Sequence, residues 1–546
     1  MTTSRLRAVA ASASAASALL LLIPSILIAQ VDTAWVRRYD GPAHQDDQIV
    51  DIAVDSAGNV YSVGQSDSDP DTGRNWDIVV WKLSPAGESL WLTRYNYSST
   101  DEPFGLVPDG MGGMYVAAYL GGPLSTLRFD SLGQVQWVRR YSTYGCYDGN
   151  IASEPGGGVI VAGAVDVPGQ LYNCVAIKYR PNGDTAWARQ YDATNDEDLA
   201  FCLAVDEAGG SYLGGQTYEH GIGGKFLVVK YDSSGNRQWV TSFDGPYTNG
   251  LDAVDDIAVD NRGSVCFTGR SVGLGGDLDY ATGRLDAATG ETLWVRRYDG
   301  AAHQEDEPRR LALDSAGNVY VTGRTAALSS GYNFATVSYD SGGAQRWITV
   351  YDGPVHEGAT PWALAVDPEG RVYVTGRADV ATSVDVVTVC YSLTGDSLST
   401  WTYDGPRNRW DEGKSVAVGS DGSVLVGGTS EGISTGYDFV VIKYAPSGGL
   451  AEGGSMAYRR CLEVSPNPFC GRAVVKLTAP VSTLASIAVY NAAGRRARVL
   501  TTTSCAVDSI AAWDGLDDAG RRLPPGVYVL RVRCAGQTQS FKVIKL

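Results

Sequence analysis

The chain has 546 residues, of which 44% are hydrophobic, so it is too long for one ordinary domain unless the fold is a large repeat array. Its formal net charge of −17 argues against nucleic acid as a partner, because phosphate binding needs clustered Lys and Arg. The 66 glycines and 30 tyrosines predict an all-β protein of many short strands joined by tight turns.

Residues 1–29 have the pattern of a secretory signal peptide. Two arginines give a positive start, residues 18–28 form an apolar core, and Ala29 is a small residue at the expected cleavage edge. A transmembrane anchor over residues 8–29 is the alternative, but its strongly apolar part is too short to span a bilayer. We therefore expect a mature chain without a transmembrane segment that is secreted or attached to the outer surface of a bacterial cell.

A repeat with a period near 50 residues occupies residues 30–447. Its clearest copy runs from Trp294 to Trp347 and contains WVRRYDG, RLALDSAGNVYVTG and NFATVSYDSGGAQRW. Each copy holds four strand candidates separated by tight-turn sequences, and four such strands make one antiparallel blade of a β-propeller. The tryptophans that mark the copies are Trp35, Trp91, Trp137, Trp187, Trp239, Trp294, Trp347 and Trp401.

The number of strand candidates predicts an eight-bladed ring. Eight sets of three inner strands follow one another; the strand of Trp35 precedes them all, and the last set, which ends at Tyr444, has no tryptophan strand after it. A ring in which the Trp35 strand completes the eighth blade pairs both terminal edges and hides strands that would otherwise aggregate. Seven blades plus a stray unit is the alternative.

Two blocks of the repeat, IAVDSAGNVYSVG at residues 52–64 and LALDSAGNVYVTG at 311–323, resemble the bacterial SBBP β-propeller repeat. This resemblance implies the fold and no particular function. Residues 285–294 (LDAATGETLW) also look like the tryptophan-docking motif of eight-bladed quinoprotein propellers, but the adjacent cysteine pair of the quinone dehydrogenases is missing from the sequence. We therefore interpret the tryptophans as packing residues between neighbouring blades and predict no cofactor.

Residues 461–546 resemble the C-terminal sorting domain of type IX secretion cargo and the related Ig-like domain of flagellar hook-capping proteins. The matching segments are SPNPF at 465–469, IAVYN at 487–491, WDG at 513–515 and LPPGVY at 523–528. The resemblance implies a small Ig-like β-sandwich and the type IX secretion machinery as a partner. A structural cap without a sorting role is the alternative, and residues 448–460 are the predicted linker.

The connections between strands predict where a site would lie. Short turns such as residues 314–318 and 340–343 belong to one face of the ring, whereas the variable connections and the exits of the tryptophan strands belong to the other. Most exits are acidic, so we hypothesise a negative collar at the channel mouth that attracts cations or basic groups, with calcium as the candidate ion. Solvated loop charge is the simpler interpretation. The collar residues are Asp46, Asp47, Asp101, Asp198, Asp256, Asp306 and Asp411.

Three histidines, His44, His303 and His356, occupy equivalent exits. Neighbouring sheets pack roughly 10 Å apart, whereas a zinc ion needs each ligand nitrogen at about 2 Å, so we predict no metal site there.

The sequence contains no catalytic motif, which favours a binding scaffold for an extracellular glycan or protein over an enzyme. The alternative is a propeller enzyme acting at the channel mouth, such as a lyase, a glycoside hydrolase or a quinoprotein-like enzyme. Its catalytic groups would come from irregular repeats, of which residues 141–150 and 247–256 are the candidates.

Overall fold

A computed structural model of the chain divides into two units, residues 1–447 and 448–546. It describes residues 33–69, 75–141, 145–169, 171–193, 196–219, 222–247, 249–260, 262–328, 331–380, 382–445, 463–465, 473–476, 486–491, 496–501, 510–524, 526–534 and 537–545. The signal peptide expected at residues 1–29 and the linker expected at 448–460 lie outside these residues. Within the described ranges, no helix has the length and apolar character to cross a membrane.

The first unit consists of eight antiparallel sheets of four strands, the blades of a propeller. Blade 1 contains β2 (Asp47–Val54), β3 (Val60–Asp67), β4 (Trp76–Leu83) and β5 (Ser89–Tyr95). Blade 2 contains β6 (Asp101–Pro108), β7 (Met114–Leu120), β8 (Leu124–Phe129) and β9 (Val135–Tyr141). Blade 3 contains β10 (Cys146–Ser153), β11 (Val159–Asp166), β12 (Tyr172–Tyr179) and β13 (Thr185–Tyr191). Blade 4 contains β14 (Asp198–Val205), β15 (Ser211–Glu219), β16 (Ile222–Tyr231) and β17 (Arg237–Phe243).

The other four blades repeat this order. Blade 5 contains β18 (Ala253–Val259), β19 (Ser264–Val272), β20 (Leu278–Asp286) and β21 (Thr292–Tyr298). Blade 6 contains β22 (Asp306–Leu313), β23 (Val319–Ala326), β24 (Tyr332–Tyr339) and β25 (Gln345–Tyr351). Blade 7 contains β26 (Ala359–Val366), β27 (Val372–Asp379), β28 (Val384–Tyr391) and β29 (Ser397–Tyr403). Blade 8 contains β30 (Asp411–Val418), β31 (Val424–Glu431), β32 (Tyr437–Tyr444) and, as its fourth strand, β1 (Thr33–Tyr39).

The ring closes through its first strand. β1 pairs antiparallel with β32, with Val36 opposite Ile442 and Tyr39 opposite Phe439. The pairing confirms the eight-bladed prediction, and the seven-bladed alternative is wrong. Without β1, the third strand of blade 8 would have an unpaired edge, and β1 would have no partner strand. Pairing the two ends of the propeller segment satisfies the backbone groups of both strands.

The cores lie between neighbouring blades. Tyr61 and Val80 of blade 1, for example, pack against Leu106 and Val116 of blade 2. Because the middle strands are covered by a blade on each side, β4 is buried along its whole length. The fourth strands form the rim of the ring and are exposed at many positions.

An aspartate holds the tight turn between the first two strands of a blade. Asp314 Oδ1 accepts hydrogen bonds from the backbone N–H groups of Ala316 and Asn318, and its Oδ2 accepts one from the Tyr320 hydroxyl. The same arrangement recurs at Asp55 and Asp206. These hydrogen bonds replace ladder bonds that the turn cannot make.

The tryptophans join each blade to the next one. The Trp294 indole N–H donates to the Ser341 carbonyl at 3.2 Å, and its ring lies over Gly343, where a Cβ would stand 2.7 Å from the ring. Gly343 has a φ of +83°, so glycine is required there both for its backbone and for its missing side chain. The indoles of Trp35, Trp137, Trp187, Trp239 and Trp347 donate to the following blade in the same way. This confirms the predicted packing role.

Trp91 packs on Gly133 without this hydrogen bond, and Trp401 does neither, so its treatment as an equivalent of the other tryptophans is wrong. In blade 7, Ser399 opposes Cys390 where Trp347 opposes Ser338 in blade 6, so Ser399 holds the tryptophan position. Trp401 follows two residues later and stacks between Tyr373 and Tyr444, with centroid distances of 6.1 and 5.0 Å. The reason is topological: the fourth strand of blade 8 is β1, so no hairpin turn joins its third and fourth strands to receive an indole.

The second unit has seven described strands in two antiparallel sheets. The strands are β33 (Glu463–Ser465), β34 (Ala473–Lys476), β35 (Ser486–Asn491), β36 (Arg496–Thr501), β37 (Ile510–Trp513), β38 (Gly526–Cys534) and β39 (Gln537–Lys545). One sheet has the order β33-β34-β37 and the other β36-β35-β38-β39. Trp513 is fully buried and meets Tyr528 edge-on at 5.0 Å. The Ig-like sandwich stays a prediction.

Candidate binding site in the axial channel

The first strand of each blade, which lines the axial channel and which we call the inner strand from here on, contains a β-bulge. In β2 the register shifts between Ile49 and Asp51, and six other inner strands have an equivalent shift. In β10 the shift comes two residues earlier, between Cys146 and Asp148. A bulge re-aims the side chains around it. The eight residues that follow the bulges in equivalent register form what we call the channel ring: Asp51, Gly105, Asn150, Cys202, Asp256, Arg310, Ala363 and Ser415.

A cavity of about 460 Å³ lies in the axial channel at the level of this ring. Most of its other lining residues precede the ring in the inner strands, such as Tyr147 and Asp255. The cavity therefore extends from the ring toward the face where inner strands begin and fourth strands end, which we call the loop face. The opposite face, with the Asp-capped hairpin turns, is the turn face.

Two carboxylates of the channel ring join neighbouring blades. Asp51 Oδ1 accepts from the Ile52 N–H at 2.8 Å and the Ser415 hydroxyl at 2.9 Å, and its Oδ2 accepts from the Leu106 N–H of blade 2 at 3.3 Å. Asp256 accepts from the Ile257 N–H at 3.0 Å and from the Leu311 N–H of blade 6 at 2.7 Å. These bonds fix both side chains in one orientation toward the channel.

Burial raises the pKa values of the acidic side chains that line the cavity. It raises the pKa of Asp148 to about 6, with a hydrogen bond from Gly149 and the charge of Arg310 acting in the opposite direction. Burial also raises the pKa of Asp255 to about 6 against the charge of Arg270. The pKa values of Asp51 and Asp256 are raised by the same cause. Carboxyl groups of this kind, gathered in a cavity, mark a candidate functional site.

Most basic side chains of the cavity are already paired. Arg270 lies 3.2 Å from Asp255, Arg309 lies 3.1 Å from Glu307, and Lys414 lies 2.8 Å from Glu412. Arg310 is exposed to the channel and donates to the Arg309 carbonyl, and within the described chain it has no acidic partner within 4 Å. Arg310 is therefore the one lining cation whose charge no adjacent acid neutralises.

The cavity has two unlike halves. What we call the acidic half comes from blades 1–5 and combines carboxylates with aromatic rings. Its members are Asp51, Phe104, Tyr147, Asp148, Phe201 and Asp256. What we call the basic half comes from blades 6–8 and comprises Arg309, Arg310 and Lys414. Tyr147 is 62% exposed, whereas the nearby Trp362 of blade 7 is covered by Arg309 and Lys414, at 4.9 and 4.0 Å from its ring centroid.

The structure does not bring the seven expected collar residues into one ring. Five of them begin inner strands, are at most 1% exposed, and accept a backbone N–H from the exit loop just before them: Asp47, Asp101, Asp198, Asp306 and Asp411. Asp46 accepts from the Tyr437 N–H, and Asp256 belongs to the channel ring. In blade 5 the strand-starting role falls to Asp252, which binds Gly245 N–H, so the assignment of Asp256 to that position is wrong.

Three of these strand-starting aspartates stand beside two further carboxylates, with one ligand oxygen from each residue within 4.8 Å of the others. The groups are Asp40, Asp47 and Asp438; Asp279, Asp299 and Asp306; and Asp385, Asp404 and Asp411. Arg38 pairs with Asp438 at 2.7 Å and Arg297 with Asp279 at 3.2 Å. The third group has no such arginine among the described residues, so it fits a cation best. Calcium binding stays a prediction.

The three equivalent histidines serve their own loops. His44 and His303 direct Nδ1 at the aspartate four residues earlier, at 2.6 and 2.8 Å, and His356 does the same. All three have positive φ angles near 50–60°. Asp299 raises the pKa of His303 through a hydrogen bond.

A family of known repeats matches two segments of the propeller. Residues 35–70 and 294–328 match the family model of the SBBP β-propeller repeat. The chain is a β-propeller repeat protein. No curated protein matches its sequence.

Several solved structures resemble this β-propeller repeat protein. Quinohemoprotein alcohol dehydrogenase ADHIIG from Pseudomonas putida HK5 is 14% identical over 81% of this chain and 79% of its own, with a TM-score of 0.47. PorZ, a surface component of the type-IX secretion system of Porphyromonas gingivalis, is 12% identical over 91% and 81%, with a TM-score of 0.25. Polysaccharide lyase Uly1 is 12% identical over 62% and 88%, with a TM-score of 0.38. At these similarities the neighbours carry no argument about activity.

The channel ring is the part of the site that sequence reasoning missed. Its residues directly precede the first apolar residue of each repeat motif, as Asp51 precedes Ile52 and Arg310 precedes Leu311. Aligning the repeats on that residue would have found the ring. Both irregular segments singled out from the sequence, 141–150 and 247–256, do contribute to the cavity through Tyr147, Asp148 and Asp256.

Proposed function

We propose that this β-propeller repeat protein is a non-catalytic binding protein that holds a protein or glycan ligand at its loop face, with the axial cavity as the centre of the site. The observation that carries the proposal is the fixed orientation of Asp51 and Asp256. Each carboxyl group is held by N–H groups of two blades, so the cavity presents these polar groups without reorganisation. Preorganisation of this kind favours affinity because little ordering remains to be done on binding.

The experiment is a protein and glycan array probed with the full chain and with a plugged variant. Gly105 lines the cavity, and a Cβ there would meet its nearest neighbours at 3.5 Å, which is ordinary contact, so we choose Gly105→Phe. The matched control is Leu132→Phe, which enlarges a 70% exposed residue on the turn face of the same blade. We expect array signals of the native chain to persist in the control and to fall at least tenfold in the plugged variant. Equal signals in both variants would refute a cavity-centred site.

A second candidate is catalysis in the same cavity, as a lyase or hydrolase. It is favoured by the carboxyl groups of Asp148 and Asp255, whose pKa values near 6 suit proton transfer at neutral pH. Incubation of array-positive ligands with the full chain distinguishes the two functions. Product formation that Asp148→Asn abolishes while binding persists would favour the enzyme.

We propose further that the protein reaches the cell exterior through its C-terminal residues 461–546. The support is the sequence resemblance of that segment to type IX sorting domains. In a bacterium with this secretion system, deletion of residues 461–546 is expected to keep the propeller inside the cell envelope. Surface appearance of the deleted chain would contradict the proposal.

A further inference from the structure

The acidic half of the cavity holds three carboxyl groups that no adjacent cation neutralises. Asp51, Asp148 and Asp256 belong to blades 1, 3 and 5, and none of them forms an ion pair within the described chain. The other acid on this side, Asp255, is neutralised by Arg270. Burial raises the pKa of each of these carboxyl groups and the charge of Arg310 lowers it, so a second positive group in the acidic half would stabilise their ionised forms.

The carboxylates of the acidic half do not form a site for a small metal ion. The groups of the described chain that bring three ligand oxygens together are the exit-loop clusters, and none includes Asp51, Asp148 or Asp256. Both oxygens of Asp51 and of Asp256 accept backbone N–H bonds. A charge spread over several atoms matches such separated carboxylates better than a point charge does.

Aromatic rings lie between the carboxylates. Phe104, Tyr147 and Phe201 come from blades 2, 3 and 4, and each precedes the channel ring in its strand, nearer the loop face. Phe104 and Phe201 are half-buried and Tyr147 is exposed. The Arg270 guanidinium already lies 5.9 Å from the centroid of the Phe201 ring. Aromatic faces attract organic cations and also pack against apolar stems.

We propose that the acidic half binds the basic side chain, arginine or lysine, of a protein ligand. This inference rests on the proposed function of the cavity as a binding site and names its ligand class. The order of the groups along the cavity supports it. When a side chain from the loop face is fully inserted, its apolar stem lies beside the aromatic rings and its charged head lies at the deeper carboxyl groups of Asp51 and Asp256. Arginine fits best, because its planar guanidinium stacks on aromatic rings and donates several hydrogen bonds.

The test is calorimetric titration of the full chain at pH 7.5 and low salt with N-acetyl-arginine amide. The matched neutral probe is N-acetyl-citrulline amide, which has the same shape without the charge, and glucosamine is the third arm. We expect the arginine probe to bind at least tenfold more tightly than either. Equal affinity for the citrulline probe overturns the charge argument. Tighter binding of glucosamine overturns the assignment to a protein side chain.

Two variants locate the binding. Asp148→Asn keeps the acceptor for Gly149 N–H and removes the charge, and Tyr147→Leu removes an exposed ring. Each is expected to weaken the arginine probe about fivefold or more, while Glu88→Gln, an exposed acid on the turn face, leaves it unchanged. Unchanged affinity in both cavity variants would refute the location. Asp51 and Asp256 are left intact because they join blades.

The outcomes separate the two proposals. If Gly105→Phe loses array binding but the native chain does not prefer the arginine probe to the citrulline probe, the binding function is supported and the assignment of a basic side chain is refuted. Equal array binding by Gly105→Phe and Leu132→Phe sinks the cavity itself.

Discussion

Two kinds of junction hold the ring of blades together. At the junction between blades 5 and 6, Trp294 packs on Gly343 and donates to the carbonyl of Ser341. At the closing junction between blades 7 and 8, Ser399 stands in that place, and Trp401 stacks between two tyrosines. The difference shows that a tryptophan is needed at this position only where the next blade has a hairpin turn between its third and fourth strands to contact the indole.

An arginine from the first strand also holds the closing junction together. Arg38 donates to the Tyr403 hydroxyl of blade 7 at 2.9 Å, to the Ser430 side chain at 2.6 Å, and to Asp438 at 2.7 Å. One side chain thus links strands from both ends of the propeller segment. In the strand of Trp294, Arg297 donates to Ser271 and Asp279 in the same way, so these charge-assisted hydrogen bonds accompany the indole contact and do not replace it.

The largest contrast is expected from the tryptophan position itself. Trp294→Ala removes a buried indole and leaves a cavity between blades, which costs about 3–5 kcal/mol of unfolding free energy. Ser399→Ala, at the equivalent position of blade 7, is expected to change it by less than about 0.5 kcal/mol. Denaturant unfolding of the full chain measures both, and similar losses in the two variants would contradict the distinction between junctions.

A smaller effect is expected in the receiving turn. Gly343→Ala forces a side chain onto a residue with a φ of +83° and onto the Trp294 ring, so we expect a loss of about 2 kcal/mol. The neighbouring Gly342→Ala is the control, since its Cβ would meet nothing nearer than 3.4 Å. That control should be neutral or stabilise by up to about 1 kcal/mol through the unfolded chain. Melting temperatures compare the pair, and a harmless Gly343→Ala would show that the indole does not depend on this turn.

The smallest effect concerns Asp47, which ties down the exit of β1 by accepting the Gly41 N–H at 2.6 Å. Burial raises the pKa of Asp47 to about 7. Its folded pKa exceeds the unfolded one, so its contribution to stability is complete below pH 4 and is lost as the pH rises through 7. Asp47→Asn keeps an acceptor without the charge. It should therefore reduce the loss of stability between pH 5 and pH 8 by about 1 kcal/mol, since a pKa unit is worth about 1.4 kcal/mol and solvent at the loop offsets part of the shift.

The readout for Asp47 is the melting temperature of the native chain and the variant across that pH range. Glu88→Gln, an exposed acid in a turn, controls for the loss of one negative charge. Parallel pH profiles for the native chain and Asp47→Asn would show that the carboxyl does not titrate with folding.

The fold could be predicted where one local pattern has one structural consequence. The leftover strand of Trp35 and the incomplete last repeat required β1 to complete blade 8, and the short segments such as DSAGN required tight turns between strands. The position of Trp401 could not be predicted, because a spacing between tryptophans does not give the register of the strand.

The site was harder to predict because it depends on bulges that have no residue signature. Val50, Phe104, Asp255 and Lys414 all occupy bulge positions, and these residues share no chemistry. Recurring acids at strand starts were visible in the sequence, but the direction of their side chains was not. Asp47 turns inward to its own exit loop, whereas Asp256 reaches the channel.

The pairing of β1 with β32 also sets an order of events in folding. Arg38 and Asp438 are 400 residues apart in the chain, so this contact carries a high entropic cost of loop closure. During synthesis, the N-terminal strand has no partner until the residues up to Tyr444 have been made. The ring can therefore close only after the whole propeller segment has left the ribosome.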